Sequence, residues 1–224
     1  MNDALVLANA EDGILWLTLN QPARRNPLSS DMIAELSDAI ASGNADPSTR
    51  VIVIKAAGPA FSAGHDLRET RRRNDEDQSD WEVRVDQLLQ DCAAMMTSIL
   101  HTPKPIIACV QGIASAAGCQ LVSACDLAIA SEDATFCTPG VNIGTFCTTP
   151  LVGIGRNLSR KHALEMALTG DQFDAATAER FGLINRSVPA TELEQATQEL
   201  AGKIASRSAE SIARGKSAFY RQVE

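Results

Sequence analysis

The sequence predicts an α/β fold, with strand-type runs alternating with helices through much of the chain and helices taking over toward its end. Three observations carry this. Val51-Ile52-Val53-Ile54 is an uninterrupted β-branched run, the pattern of a strand covered on both faces. Two segments, Phe61-Ser62-Ala63-Gly64-His65-Asp66-Leu67 and Gln111-Gly112-Ile113-Ala114-Ser115-Ala116-Ala117-Gly118-Cys119-Gln120, each leave a short apolar run through Gly and small residues and open toward a helix. After Ser159 the apolar residues recur at helical spacing.

The elements follow in order. Leu15-Trp16-Leu17-Thr18-Leu19 reads as a strand ending at Asn20-Gln21-Pro22, and Ser29 or Ser30 caps a helix whose apolar face is Met32, Ile33, Leu36, Ala39 and Ile40. Val51 to Ile54 feeds the Gly64 turn. Between Arg68 and Asp80 a strongly charged stretch without apolar periodicity predicts a mobile surface flap. Helical spacing returns with Trp81, Val85, Leu88, Leu89, Cys92, Met95, Met96 and Ile99, and Pro103 and Pro105 stop that helix. Ile106 to Val110 reads as a strand, Gly112 to Ala116 as a connecting loop, Ala117 to Ala124 as a helix and Leu127 to Ala130 as the next strand. Helices then span Ala163 to Leu168, Ala175 to Phe181 with Gly182 as its C′ residue, Glu192 to Ala205 and Ala209 to Tyr220.

Composition limits the function. A net charge of −8 argues against nucleic acid as a partner, because phosphates demand a basic surface. The six cysteines sit mostly in apolar runs without a CxxC pair, and only three histidines accompany them. They read as reduced, buried thiols of a cytoplasmic protein rather than as a disulfide framework or a zinc site. Met1-Asn2-Asp3 begins no signal-type segment. The uncharged stretch from Pro105 to Cys125 is interrupted by Gln111, Ser115, Gln120, Ser123 and two glycines, so a strand, a loop and a buried helix explain it better than a membrane span.

The two turn segments also point to chemistry. A strand that ends in Gly and small residues leaves backbone N–H groups bare, and a helix beginning there adds the positive end of its dipole. Two such donors converging on one carbonyl oxygen stabilise an enolate or a tetrahedral intermediate.

With Arg25-Asn26-Pro27-Leu28, Phe61 to Leu67, Gly112 to Asp126, Phe136 to Gly144 and Ala163 to Gly170 in this order, the chain resembles the crotonase (enoyl-CoA hydratase/isomerase) superfamily. Gly-His-Asp-Leu, Ala-Ala-Gly-Cys-Gln-Leu and Thr-Pro-Gly-Val-Asn are most similar to its subgroup of enoyl-CoA hydratase domain-containing 3 proteins. The resemblance implies a crotonase-type spiral of ββα units followed by C-terminal helices, as one domain over 1–224 with its core in 1–155 and a helical region in 156–224. Members usually continue beyond the equivalent of Glu224 with helices that cover the acyl pocket, and a homotrimer or hexamer is implied.

The resemblance further implies an oxyanion hole from the N–H groups of His65 and Ala117, where the family usually has Gly at the second position. The two glutamates that handle protons in the hydratases fall at Gln120 and Gly140. Gln holds a water but exchanges no proton near pH 7, and Gly offers no side chain. A coenzyme A thioester is expected as substrate, with no further cofactor and no metal. Backbone at Arg25, Ala63, His65 and Leu67 would contact it, and Arg24, Arg68 and Arg71 to Arg73 would meet its phosphates. Thr138, Asn142, Cys147 and Thr148 lie where other members place alternative catalytic groups. The expected function is an acyl-CoA thioester enzyme in fatty-acid metabolism, the alternatives being a silent acyl-CoA binder or an acyl-CoA decarboxylase.

Overall fold

Aliphatic strands set the frame. In the computed structural model, which describes residues 4–223 and so leaves Met1-Asn2-Asp3 outside it, β3 (Val51–Ala56) has Val51 to Ile54 all at 0% exposure. It lies between β2 (Ile14–Leu19) and β5 (Ile106–Val110), parallel to both. β1 (Val6–Glu11), which the sequence reading did not anticipate, pairs antiparallel with β2 through Asp12 and Gly13. Their φ values of 51° and 78° supply the two left-handed residues of a tight hairpin. β7 (Leu127–Ser131) and β10 (Arg186–Val188) complete the order β1-β2-β3-β5-β7-β10.

A second sheet takes the order β4-β6-β8-β9 from β4 (Ala60–Ser62), β6 (Ile113–Ser115), β8 (Thr135–Cys137) and β9 (Phe173–Asp174). The chain thus passes from β3 to β4, from β5 to β6 and from β7 to β8 before each return helix, which is the expected ββα spiral. The loop expected over Gly112 to Ala116 is corrected: three of its residues form β6. A strand this short shows no alternation of its own and exists by pairing with β4 and β8. The region after Asn157 likewise contributes β9 and β10 beside its helices.

Side-chain alternation along β3 divides the apolar interior. Ile52 and Ile54 face Met32, Leu36 and Ile40 of α1 (Ser30–Ala45) and Leu88, Met95 and Ile99 of α3 (Gln78–His101). Val51 and Val53 face the other way, with Leu193 and Ala201 of α8 (Leu193–Ala205). Ser29 caps α1 by accepting from the Met32 N–H at 3.2 Å.

The stretch expected to be a mobile flap is anchored instead. α2 (Leu67–Thr70) starts at Asp66, and the Arg84 guanidinium of α3 donates to the carbonyls of Glu69 and, at 3.0 Å, Arg71, and to Glu76 at 2.7 Å. The Trp81 indole donates to the Thr70 carbonyl at 2.9 Å. The charge run carries no periodicity because its partners belong to the next helix. Downstream, α4 (Ala117–Ala124), α6 (Arg160–Thr169), α7 (Ala175–Phe181) and α9 (Ala209–Val223) fall where helical spacing placed them, and Gly182 ends α7 at φ 90°. α5 (Thr148–Asn157) is an addition. All six cysteines are free and buried.

Candidate functional site

The site is built where three turns meet at the ends of β4, β6 and β8. Gly64 stands at φ 88°, in the region glycine enters without steric cost. A Cβ on it would lie 2.9 Å from the Ser115 carbonyl oxygen and 3.3 Å from the Ala117 nitrogen, so the first turn rests directly on the second. Within the second turn the strain sits on Ala116, at φ 48° and ψ −116°, while Ala117 has no positive φ and opens α4. The Ala116 N–H donates to the Cys137 carbonyl at 2.9 Å, which binds this turn to the end of β8. The strain thus falls one residue before Ala117, on a residue that sequence reading did not single out.

Ala117 is thereby presented as the first residue of a helix, with an N–H that the helix itself leaves unpaired. Among the described residues neither this N–H nor that of His65 donates to another group. The His65 imidazole is largely buried and, among the described residues, its Nε2 has no partner; burial holds its pKa below the ordinary histidine value, against the opposing charge of Glu69. The ring is neutral at physiological pH.

The backbone groups expected to meet a ligand lie together at one corner. The Ala63 N–H donates to the Arg25 carbonyl at 2.9 Å, the Leu28 N–H donates to the Gly64 carbonyl at 2.8 Å, and Leu67 opens α2 with half its surface exposed. Arg24 and Arg68, expected to meet phosphates, both pair with Asp66, whose side chain is 9% exposed. Asn26 was not singled out from the sequence, yet it is fully buried at φ 49°. Its amide donates to the carbonyls of Ala57 and Ala60, each at 2.9 Å, and accepts from the Gln21 N–H at 2.8 Å. It ties the Arg25 turn to the approach of β4; the signal was its place in the Arg-Asn-Pro-Leu motif, since Asn tolerates left-handed backbone.

Gln120 lies one turn into α4, 7% exposed, and among the described residues its amide oxygen has no partner. It lines a cavity of about 480 Å³ with Met96, Leu100, Val152 and Phe219. A larger groove of about 680 Å³ between α1 and α3 contains none of the expected site residues.

Gly140 is buried, and a Cβ there would lie 3.0 Å from both the Cys147 sulfur and the Thr145 hydroxyl. The space a side chain would enter is occupied by the segment leading into α5. Burial raises the pKa of the Cys147 thiol, which is therefore protonated at neutral pH. Thr138 and Asn142, two further candidates on this loop, are engaged structurally: Thr138 donates to the Met166 carbonyl at 2.9 Å and Asn142 to that of Gly170 at 3.3 Å. Among the described residues no group of three His, Cys, Asp or Glu side chains could hold a metal ion, and no helix is long and apolar enough to cross a membrane.

The model of the enoyl-CoA hydratase/isomerase family matches residues 9–224. The mitochondrial enoyl-CoA hydratase domain-containing protein 3 of Mus musculus is 44% identical over 219 residues, covering 98% of this chain and 71% of the relative. The crystal structure of the human protein of that name superposes with a TM-score of 0.91 at 42% identity, covering 98% of this chain and 84% of that one. A Mycobacterium smegmatis enoyl-CoA hydratase structure gives a TM-score of 0.91 at 42% identity with the same coverage. The expected cytoplasmic location is corrected here, because the mouse and human relatives are mitochondrial by name. Buried, reduced thiols do not distinguish one reducing compartment from another, which is why cysteine usage misled.

Proposed function

Because this chain belongs to the enoyl-CoA hydratase/isomerase family, we propose that it acts on a coenzyme A thioester of fatty-acid metabolism, with the N–H groups of His65 and Ala117 holding the thioester carbonyl oxygen. The observation that carries this is the closeness of the two turns, in which a Cβ at Gly64 would lie 3.3 Å from the Ala117 nitrogen and, among the described residues, neither donor has a protein partner. The first turn of α4 adds its dipole to the same oxygen. One such donor is worth about 10²–10³ in rate where the developing charge is an oxyanion.

Neither Gln120 nor Gly140 exchanges a proton, so the chemistry favoured is one that generates the enolate without a carboxylate base. Decarboxylation is of this kind: the bond from Cα to the carboxylate breaks, CO₂ leaves, and the electron pair stays on Cα, delocalised onto the held oxygen. The coenzyme A moiety is assigned to the corner formed by Arg24, Arg25, Ala63, Leu67 and Arg68, with a homotrimer or hexamer as the assembly. A second reading, a silent acyl-CoA binder, is favoured by the filled space beside Gly140.

Calorimetric titration with crotonyl-CoA and with methylmalonyl-CoA, followed by mass spectrometry of the recovered thioesters, tests the proposal. Binding with a changed mass supports an enzyme. Binding without conversion supports the second reading, and no binding of either thioester sinks both.

A further inference from the structure

The two donor turns follow β4 and β6, and the pairing of these strands is irregular. Ala60 stands opposite Ile113 and Ser62 opposite Ala114, so two residues of β4 advance against one of β6. Such a bulge interrupts the ladder of backbone hydrogen bonds, and strands of three residues have little ladder to lose. Register matters here because His65 lies just beyond β4 and Ala117 just beyond β6. A slip of one residue moves a strand by about 3.3 Å, more than a hydrogen bond tolerates.

One side chain joins the two segments at the other end of the strands. The Gln111 amide nitrogen, at the entry to β6, donates to the carbonyls of Ala56, Gly58 and Ala60 at 2.9, 3.0 and 3.1 Å. Among the described residues no other side chain forms a hydrogen bond between residues 56–65 and 110–120. Close packing of the backbone brings the amide into reach: a Cβ at Gly112 would lie 2.1 Å from the Pro59 carbonyl oxygen, so main chain rests on main chain. Asn26 holds the same turn to the Arg25 segment through Ala57 and Ala60. At the donor end, Gly64 and Gly118 meet the carbonyl oxygens of Ser115 and Ser62 at contact distance. Those contacts limit how closely the strands approach, whereas bonds from an amide to three carbonyls fix where along each other they lie.

We infer that Gln111 is a positioning residue: by clamping the turn before β4 to the entry of β6, it sets the register in which the His65 and Ala117 N–H groups converge on one oxygen. The inference rests on the acyl-CoA reading above and adds what aligns its two donors. Gln111 stands at the opposite end of both strands from the held oxygen and acts on it only through them. Its effect is therefore expected on the polarisation of the bound carbonyl.

Butanoyl-CoA, isotope-labelled at the thioester carbonyl carbon, tests this. It has no double bond to hydrate and no carboxylate to lose, so it reports the held carbonyl alone. Infrared difference spectra are taken with the full chain in excess, so that the ligand is bound throughout. Two converging donors should lower the carbonyl stretch on binding to the parent. Gln111→Met, of similar length but without a donor, should lose about half or more of that shift. Gln111→Asn keeps an amide one methylene shorter and decides the matter if the Met variant does not fold; it should lose part of the shift. A merely structural role would lower the melting temperature and leave the shift of bound ligand as it is. The full shift in either folded variant overturns the inference and leaves the acyl-CoA reading standing. Butanoyl-CoA that binds the parent without a shift, or does not bind, removes the reading on which the inference rests.

Discussion

At the residue scale, the site is governed by what one missing side chain permits and another forbids. Gly64 lets two turns touch, but the space beside Gly140 is already taken by Cys147 and Thr145. A double change of Gln120→Glu with Gly140→Glu, the simplest way to rebuild a hydratase pair, therefore meets a packed loop. It should lower stability by about 1–3 kcal/mol and gain no hydration of crotonyl-CoA, with Cys147→Ala recovering part of the loss. A double variant that melts with the parent would contradict this. His65 makes a second prediction through pH. Its folded pKa lies below the ordinary 6.5 because burial disfavours the charged ring, so the unfolded chain binds the proton first as pH falls. Stability is then unaffected by His65 above about pH 6.5 and declines below it, and urea melts of His65→Gln should show a shallower decline between pH 6.5 and 5.5.

At the element scale, α9 is held by a buried ion pair more than by its apolar face, since none of its residues is buried by overall exposure. The Lys216 ammonium donates to Asp126 at 2.7 Å and to the carbonyls of Ile99 and Lys104 at 2.9 and 3.0 Å, and the Tyr220 hydroxyl donates to Asp126 at 2.9 Å. Lys216→Met would leave a largely buried carboxylate short of its countercharge. The expected cost is about 3–5 kcal/mol in urea unfolding, with faster amide exchange across Ala209–Val223. The segment from Arg68 to Asp80 illustrates the same principle at lower cost: Arg84→Ala should raise amide exchange between residues 68 and 76 while global stability changes little. Protection of that segment undiminished in the variant would show that Trp81 alone anchors it.

At the scale of the whole molecule, the two sheets and their helices bury all six cysteines. Burial alone pushes the Cys92 thiol up to about 11, and it is the leading cause of the same value at Cys109. Ellman's reagent should therefore find six thiols after denaturation and react with native protein only slowly. Rapid reaction of several native thiols would mean that the sheets open in solution.

The α/β alternation and the long strands and helices were legible because each repeats its apolar residues within a few positions, as in Val51 to Ile54 or Met32 to Ile40. β4, β6 and β8 were not, because strands of three residues are stabilised by one another and carry no pattern of their own. Thus the sequence by itself determined the fold class, the two turns, the absence of carboxylates at 120 and 140, and the buried, reduced state of the thiols. Only the tertiary structure decided that the strain falls on Ala116, that Gln120 is left unsatisfied beside a cavity, and that Cys147 occupies the space at Gly140. These last depend on which distant segments pack together, and close packing, unlike periodicity, is not written in neighbouring residues.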